Sequence, residues 1–214
     1  MTTLHPTLLK SICIGFLLLM VSCNYFNKEG LPYSKTFVNE NIALTSIIDS
    51  LNISEKKIQI YISKKDKELH IISDSITLKS YPVVFGFNPI DDKRIEGDGC
   101  TPEGFFEVRD RYPHKKWSKF IWINYPTKDS WRKHELSKEQ GSIAETASIG
   151  GEVGIHGVPS GQDFLIDVDQ NWTLGCIALK NKHINEFYPY IQKGTKIEIE
   201  GFGNENQDSG STSL

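Results

Sequence analysis

Residues 58–86 read IQIYISKKDKELHIISDSITLKSYPVVFG, and their pattern decides the fold. In the first six, Ile58, Ile60 and Ile62 alternate with Gln59, Tyr61 and Ser63. A period of two puts every second side chain on one face, which is the signature of a half-buried strand. ELHII follows, then Asp74-Ser75, a pair suited to a tight turn, and then ITLKSYPVV, so the two runs make a hairpin. Strand character continues downstream in GFFEVRD, KFIWINY, VGIHG, DFLIDV and TKIEIE, all rich in β-branched and aromatic residues. Helical spacing is confined to short stretches. Leu44, Ile47, Ile48 and Leu51 share a face ahead of the strands, and Ile184, Phe187, Tyr188 and Ile191 share another, with Asn181 as its cap and Gly194 as its end. A further short helix is expected after Ser137, in SKEQGSIAE. The expected fold class is mainly β with a few helices.

The chain has 214 residues, enough for one domain with its own core and too few for two large ones. Its 24 basic and 27 acidic side chains leave a formal net charge of −3, which points to no nucleic-acid partner. After Lys10 comes SICIGFLLLM, too short to span a bilayer comfortably and of the length of a signal-peptide core. It leads to Met20-Val21-Ser22-Cys23, and small residues ahead of a cysteine resemble a lipobox, in which the cysteine is diacylated and becomes the mature N-terminus. Residues 1–22 are therefore read as a lipoprotein signal peptide and Cys23 as the lipidation site. The expected location is the cell envelope, anchored to a membrane through Cys23 and facing the periplasm or cell wall; a plain secretory signal or an N-terminal membrane anchor is the simpler alternative. Residues 23–57 form a lipid-anchored tether with a helix, unless that helix packs on the domain. Residues 58–201 form the β-rich domain, and 202–214, polar and rich in glycine and serine, a disordered tail.

With Cys13 in the signal and Cys23 acylated, only Cys100 and Cys176 remain in the mature domain, too few for a disulfide framework. Cys176 follows Gly175, and His156 precedes Gly157. A cysteine nucleophile needs a base within reach and donors aimed at the oxyanion formed when it attacks a carbonyl. His156 is the available base, and the N–H groups of Gly175 and Cys176 are the available donors. Taken on its own, a lone cysteine in apolar surroundings is more often a buried small hydrophobe than a nucleophile, and a lone histidine beside a glycine is usually structural. Metal chemistry is not expected: His114, His134 and His183 are scattered, HELSK lacks a second histidine four residues on, and no Cys-x-x-Cys occurs. Neither a Gly-x-Ser-x-Gly elbow nor a P-loop glycine pattern is present, and thiolate, imidazole and backbone amides need no organic cofactor.

His156-Gly157, followed by Thr173-Leu174-Gly175-Cys176-Ile177, resembles the signature of the L,D-transpeptidase catalytic domain, also called the YkuD domain. Thr101-Pro102-Glu103-Gly104-Phe105-Phe106 is similar to the family's Thr-Pro-x-Gly-x-Phe element, and the opening hairpin with its Pro-Val-x-x-Gly ending is similar to the family's first strands. Within the family, GDGCTPEGFFEV and Ile123 to Pro126 look most like the YafK-type subgroup. The resemblance implies a β-sandwich-like domain and a peptidoglycan L,D-transpeptidase. In it, Cys176 attacks the third residue of a stem peptide, His156 moves the proton, and an amine receives the acyl group in a 3→3 cross-link or a protein attachment. The backbone carbonyl of Gly157 orients His156, Gly175 and Cys176 supply the oxyanion donors, and Thr173 and Trp172 contact substrate. Thr173 is also placed to steady the nucleophile loop. The implied partners are stem peptides, and a monomer is expected. Water as acceptor, giving a peptidase or amidase, and a murein-binding lipoprotein without turnover are the alternatives. Two departures stand out: Ala178 occupies a position where many members carry arginine, and Cys100 precedes the Thr-Pro element without an assigned role.

Overall fold

The computed structural model of the protein describes residues 35–203. The leader, Cys23 and the tail from residue 204, on which the lipid-anchor and disordered-tail expectations rest, lie outside the described residues. The strands are β1 (Ile58–Ser63), β2 (Glu68–Ser73), β3 (Ile76–Pro82), β4 (Gly104–His114), β5 (Ser118–Ile123), β6 (Gly154–Gly157), β7 (Ile177–Leu179) and β8 (Lys196–Glu200). They form one eight-stranded sheet in the order β3-β2-β1-β8-β4-β5-β6-β7.

The alternation in IQIYIS does what the sequence requires of it: Ile58, Ile60 and Ile62 are buried, and β1 pairs antiparallel with β2, Ile60 opposite Ile71. The hairpin turns at Asp74, whose φ of 52° a short polar side chain tolerates. The long strand β4 joins the two halves of the sheet. Its start, Gly104–Glu107, pairs with β8; from Val108 to His114 it pairs with β5, with a register shift between Val108 and Asp110. Such a bulge bends a strand and increases its twist. The two halves accordingly fold over a common core, in which Ile60, Ile71 and Ile197 from one half meet Ile121, Ile155 and Ile177 from the other. Beyond β3 the chain closes the arrangement further, because Val84 pairs antiparallel with Ala178 of β7 at the opposite end of the sheet. The result is mostly β and sandwich-like, almost a barrel.

Among the described residues, four short α-helices cover the edges. α1 (Leu44–Ser50) buries Leu44, Ile47 and Ile48 in the main core, so it is a packing element of the domain rather than part of a tether. α2 (Lys128–Glu139) corrects the expectation of a helix after Ser137: the helix ends there, and Gly141 (φ 66°) turns the chain away. Thr127 caps it, its hydroxyl accepting from the Ser130 N–H. α3 (Phe164–Asp167) corrects a second expectation. DFLIDV is not a strand but a helical turn in the connection from β6 to β7, where Ile166 is buried while Phe164 and Val168 are exposed. β6 and β7 are parallel, so their connection has to cross over rather than turn back as a strand. α4 (Asn181–Phe187) buries Ile184 and Phe187, but Asn181 is its first residue rather than its cap, and its side-chain amide donates to the Val158 carbonyl (2.9 Å). Among the described residues no helix is long and apolar enough to cross a membrane.

Candidate active site

The crossover that makes β6 and β7 parallel neighbours is what unites the two sequence motifs. His156 lies opposite Ala178, and carrying the register back two residues puts Cys176 beside Gly154. Residues two apart in a strand share a face, so Cys176 and His156 project to the same side. Both line a cavity of about 560 Å³, together with Trp117, Trp172, Lys93 and Glu152.

His156 is almost fully buried (1% exposed). Its Nδ1 lies 2.7 Å from the carbonyl oxygen of Gly157. A carbonyl only accepts, so the neutral ring carries its proton on Nδ1 and presents Nε2 as the lone pair. The same Gly157 is held by its own N–H, which donates to the Trp117 carbonyl (3.0 Å), and a Cβ there would lie 2.7 Å from that oxygen and 2.0 Å from Asn181 Oδ1. The ring is clamped by aromatics: Trp117 stacks on it at 4.3 Å and 19°, and Trp172 meets it edge-on at 5.7 Å. Burial lowers the imidazole to about 4; the Gly157 carbonyl opposes this, and His114 and Lys116 reinforce it.

Cys176 is half-buried, and its Sγ donates to the Glu152 carbonyl at 3.6 Å. Burial pushes the thiol up to about 11, against the pull of the Gly154 N–H and the Lys93 ammonium. The loop before it is tied down by Thr173, whose hydroxyl donates to the Cys176 carbonyl (2.6 Å) and accepts from the Gly175 N–H (3.1 Å). The Gly175 N–H is directed to Thr173, so of the two expected oxyanion donors the Cys176 N–H remains. Thr173 is itself buried, with its hydroxyl engaged inside the loop, and it lines the same cavity as Cys176 and His156. Gly175 takes φ 133°, and a Cβ there would stand 2.5 Å from the Cys100 carbonyl oxygen. Glycine is required on both counts.

The strip after β3 braces the loop from the other side. The Trp172 and Thr173 N–H groups both donate to the Phe85 carbonyl, and the Phe87 N–H donates to the Thr173 carbonyl. Thr101 of the Thr-Pro element, fully buried, accepts from the Gly86 N–H at 3.2 Å. Ala178 exchanges two backbone bonds with Val84, at 2.9 Å each, and is fully buried, so an arginine would have no room there. Cys100 faces away from the cavity, toward a separate pocket with Asp91 and Asp98, and its thiol donates to the Asp98 carbonyl at 3.5 Å. Trp172 lines the cavity. Trp117, Lys93, Glu96 and Glu152 also line the cavity, and the sequence reading gave none of them a role. None belongs to a motif. Among the described residues no cluster of three metal-ligating side chains is present.

The L,D-transpeptidase catalytic domain family matches residues 57–199, two-thirds of the chain. The protein belongs to this family. Solved structures resemble the L,D-transpeptidase domain described here. The helical cell shape determining protein Pgp2 from Campylobacter jejuni is 24% identical with a TM-score of 0.51, covering 75% of this chain and 56% of its own. Bd1075 of Bdellovibrio bacteriovorus is 19% identical with a TM-score of 0.48, covering 69% and 49%. An L,D-transpeptidase from Mycobacterium smegmatis is 16% identical with a TM-score of 0.41, covering 68% and 59%. The chain thus spans about half the length of the structures it matches first. A search of curated proteins finds no match.

Proposed function

We propose that this L,D-transpeptidase family member is a peptidoglycan acyltransferase that uses Cys176 as its nucleophile. The observation that carries the reading is the Nδ1 bond of His156 to the Gly157 carbonyl. It leaves Nε2 as acceptor in the cavity that Cys176 shares. On attack, the Cys176 sulfur bonds to the carbonyl carbon of the third stem residue while its proton passes to Nε2. The oxyanion is received by the Cys176 N–H. When the C–N bond breaks, His156 returns the proton to the leaving amine, and a thioester remains. An acceptor amine then attacks the thioester carbonyl, its proton returning through His156 to the departing sulfur. The same steps with water give hydrolysis. The leader layout supports the further proposal that Cys23 is acylated and holds the domain at the envelope; Cys23→Ser should then release the protein from membranes and abolish its labelling by fatty acid.

The test is intact-mass analysis of residues 24–214 with purified disaccharide-tetrapeptide, beside Cys176→Ala. Loss of the terminal residue or joining of two stems by the wild type alone supports the reading, and the product names the acceptor. Intact tetrapeptide, pentapeptide and cross-linked fragments after prolonged incubation would reject it.

A further inference from the structure

We propose that the Lys93 ammonium receives the free carboxylate of the stem-peptide residue on the leaving side of the scissile bond, an inference that rests on the acyl-transfer reading above. Lys93 carries the one fixed positive charge among the described residues lining the cavity; its charged companions there are Glu96 and Glu152. It is 5% exposed, and its Nζ is close to the nucleophile loop: a Cβ placed on Gly175 would lie 3.9 Å from it. The absence of a side chain at 175 keeps the space between ammonium and nucleophile loop open.

The ammonium is held rather than merely present. Nζ donates to the Ile95 carbonyl (3.0 Å) and to Asp98 Oδ1 (2.9 Å). Asp98 stands between Gly97 (φ 81°) and Gly99 (φ 70°), a turn that folds it back over Lys93. That carboxylate is shared, accepting also from the N–H groups of Arg94 (2.8 Å), Ile95 (3.0 Å) and Cys100 (3.0 Å). Its charge is therefore spread over three amides as well as the lysine, and Lys93 is only partly compensated. An ammonium has three donors. Two are engaged, and the third has no protein partner among the described residues. A buried charge with an unused donor is unfavourable unless a ligand completes it, and an anion does so with a strong charge-assisted bond.

The substrate chemistry supplies such an anion. In a tetrapeptide stem the leaving residue is terminal, so its carboxylate sits one carbon from the scissile nitrogen and travels with the reacting carbonyl. Glu96 and Glu152 would repel it, which leaves the Lys93 side of the cavity. A site built to bond a buried charged group discriminates strongly against an analogue that lacks it. Lys93 on this account makes the cavity selective for stems whose leaving residue is carboxy-terminal.

The experiment measures binding by calorimetry to Cys176→Ala, which holds substrate without turning it over. Two ligands are compared, disaccharide-tetrapeptide with a free terminal carboxylate and the same compound as its terminal carboxamide. The acid is expected to bind about tenfold or more tightly than the amide. Adding Lys93→Gln should weaken the acid to the level of the amide, and Lys93→Arg should keep the preference. Equal binding of acid and amide, a preference that survives Lys93→Gln, or a Lys93→Gln loss equal for both ligands would overturn the inference, the last pointing to oxyanion or structural support instead. If Lys93→Gln has no cooperative melting transition, the acid and amide comparison on Cys176→Ala decides alone. Wild-type turnover of the tetrapeptide without an acid preference sinks this inference and leaves the acyl-transfer reading standing. Absence of both binding and turnover sinks both.

Discussion

Burial acts on Cys176 and His156 in opposite directions, raising the thiol to about 11 and lowering the imidazole to about 4, so at pH 7 both are neutral. The resting pair is thiol and imidazole, not thiolate and imidazolium, and in the proposed mechanism the proton would move only as the carbonyl is attacked. Two pH dependences follow. Protonating His156 removes the acceptor, so kcat/KM should hold from pH 8 down to about 5 and fall as pH drops through about 4, well below the ordinary histidine range. Alkylation of Cys176 by iodoacetamide should rise about tenfold per pH unit from 7 to 10, since only the thiolate reacts. A plateau between pH 6 and 8 would reveal a preformed ion pair instead. Trp117 covers one face of the imidazole, stacking on it at 4.3 Å. Trp117→Ala should let water reach the ring, raise its pKa toward 6.5, move the acid limb of the profile up by about one unit, and lower kcat several-fold. An unmoved acid limb would mean that the strand, not the indole, sets the basicity. The roles of Cys176, His156 and the Gly157 carbonyl could be put forward from the sequence because each lies within a short motif. Trp117 could not, because its place over His156 depends on the pairing of β5 with β6, a tertiary fact.

At the scale of elements, the nucleophile loop is a short piece of backbone held on three sides: by Thr173 within it, by Phe85 and Phe87 beside it, and by Cys100 against Gly175. Gly175→Ala tests that grip. The new methyl would have to move the Cys100 carbonyl or abandon φ 133°, and either displaces the Cys176 N–H from the position an oxyanion needs. Turnover should drop about a hundredfold while the melting temperature falls by only a few degrees, because the strain of about 1–3 kcal/mol is local. Activity within threefold of wild type would mean the loop has room to relax. The strands were readable because alternation survives in a sheet with one buried face. α2 was misplaced because its buried positions are Ser130, His134 and Ser137, so it carries no apolar stripe for periodicity to find. α3 was misread because four residues of β-prone composition serve equally in a strand or a helical turn, and the parallel register of β6 and β7 chose between them.

For the molecule as a whole, the sandwich depends on contacts far apart in sequence, and α1 shows how far they reach. Glu186 of α4 accepts from the Leu44 N–H (2.9 Å), Lys79 Nζ (3.0 Å) and the Tyr81 hydroxyl (2.9 Å), tying α1 and β3 to α4. The helix was legible from spacing alone, but whether it belonged to a tether or to the domain was not, since an amphipathic stripe does not name its partner. Leu44 decides the matter energetically. It is fully buried in the main core, whereas Ile42, two residues earlier, is 48% exposed. Truncating a buried leucine removes its transfer energy and leaves a cavity, a cost of about 2–5 kcal/mol, while an exposed aliphatic truncation costs about 0.5 kcal/mol or less. Leu44→Ala should therefore lower the urea midpoint for unfolding of the domain, and Ile42→Ala should leave it nearly in place. The readout must be a probe inside the domain, such as the fluorescence of Trp117 and Trp172 beside His156, because a detached helix could melt without disturbing them. Equal midpoints for the two variants would mean that α1 hangs from the domain as a tether, and a separate early transition in Leu44→Ala would mean that it docks without sharing the cooperative core.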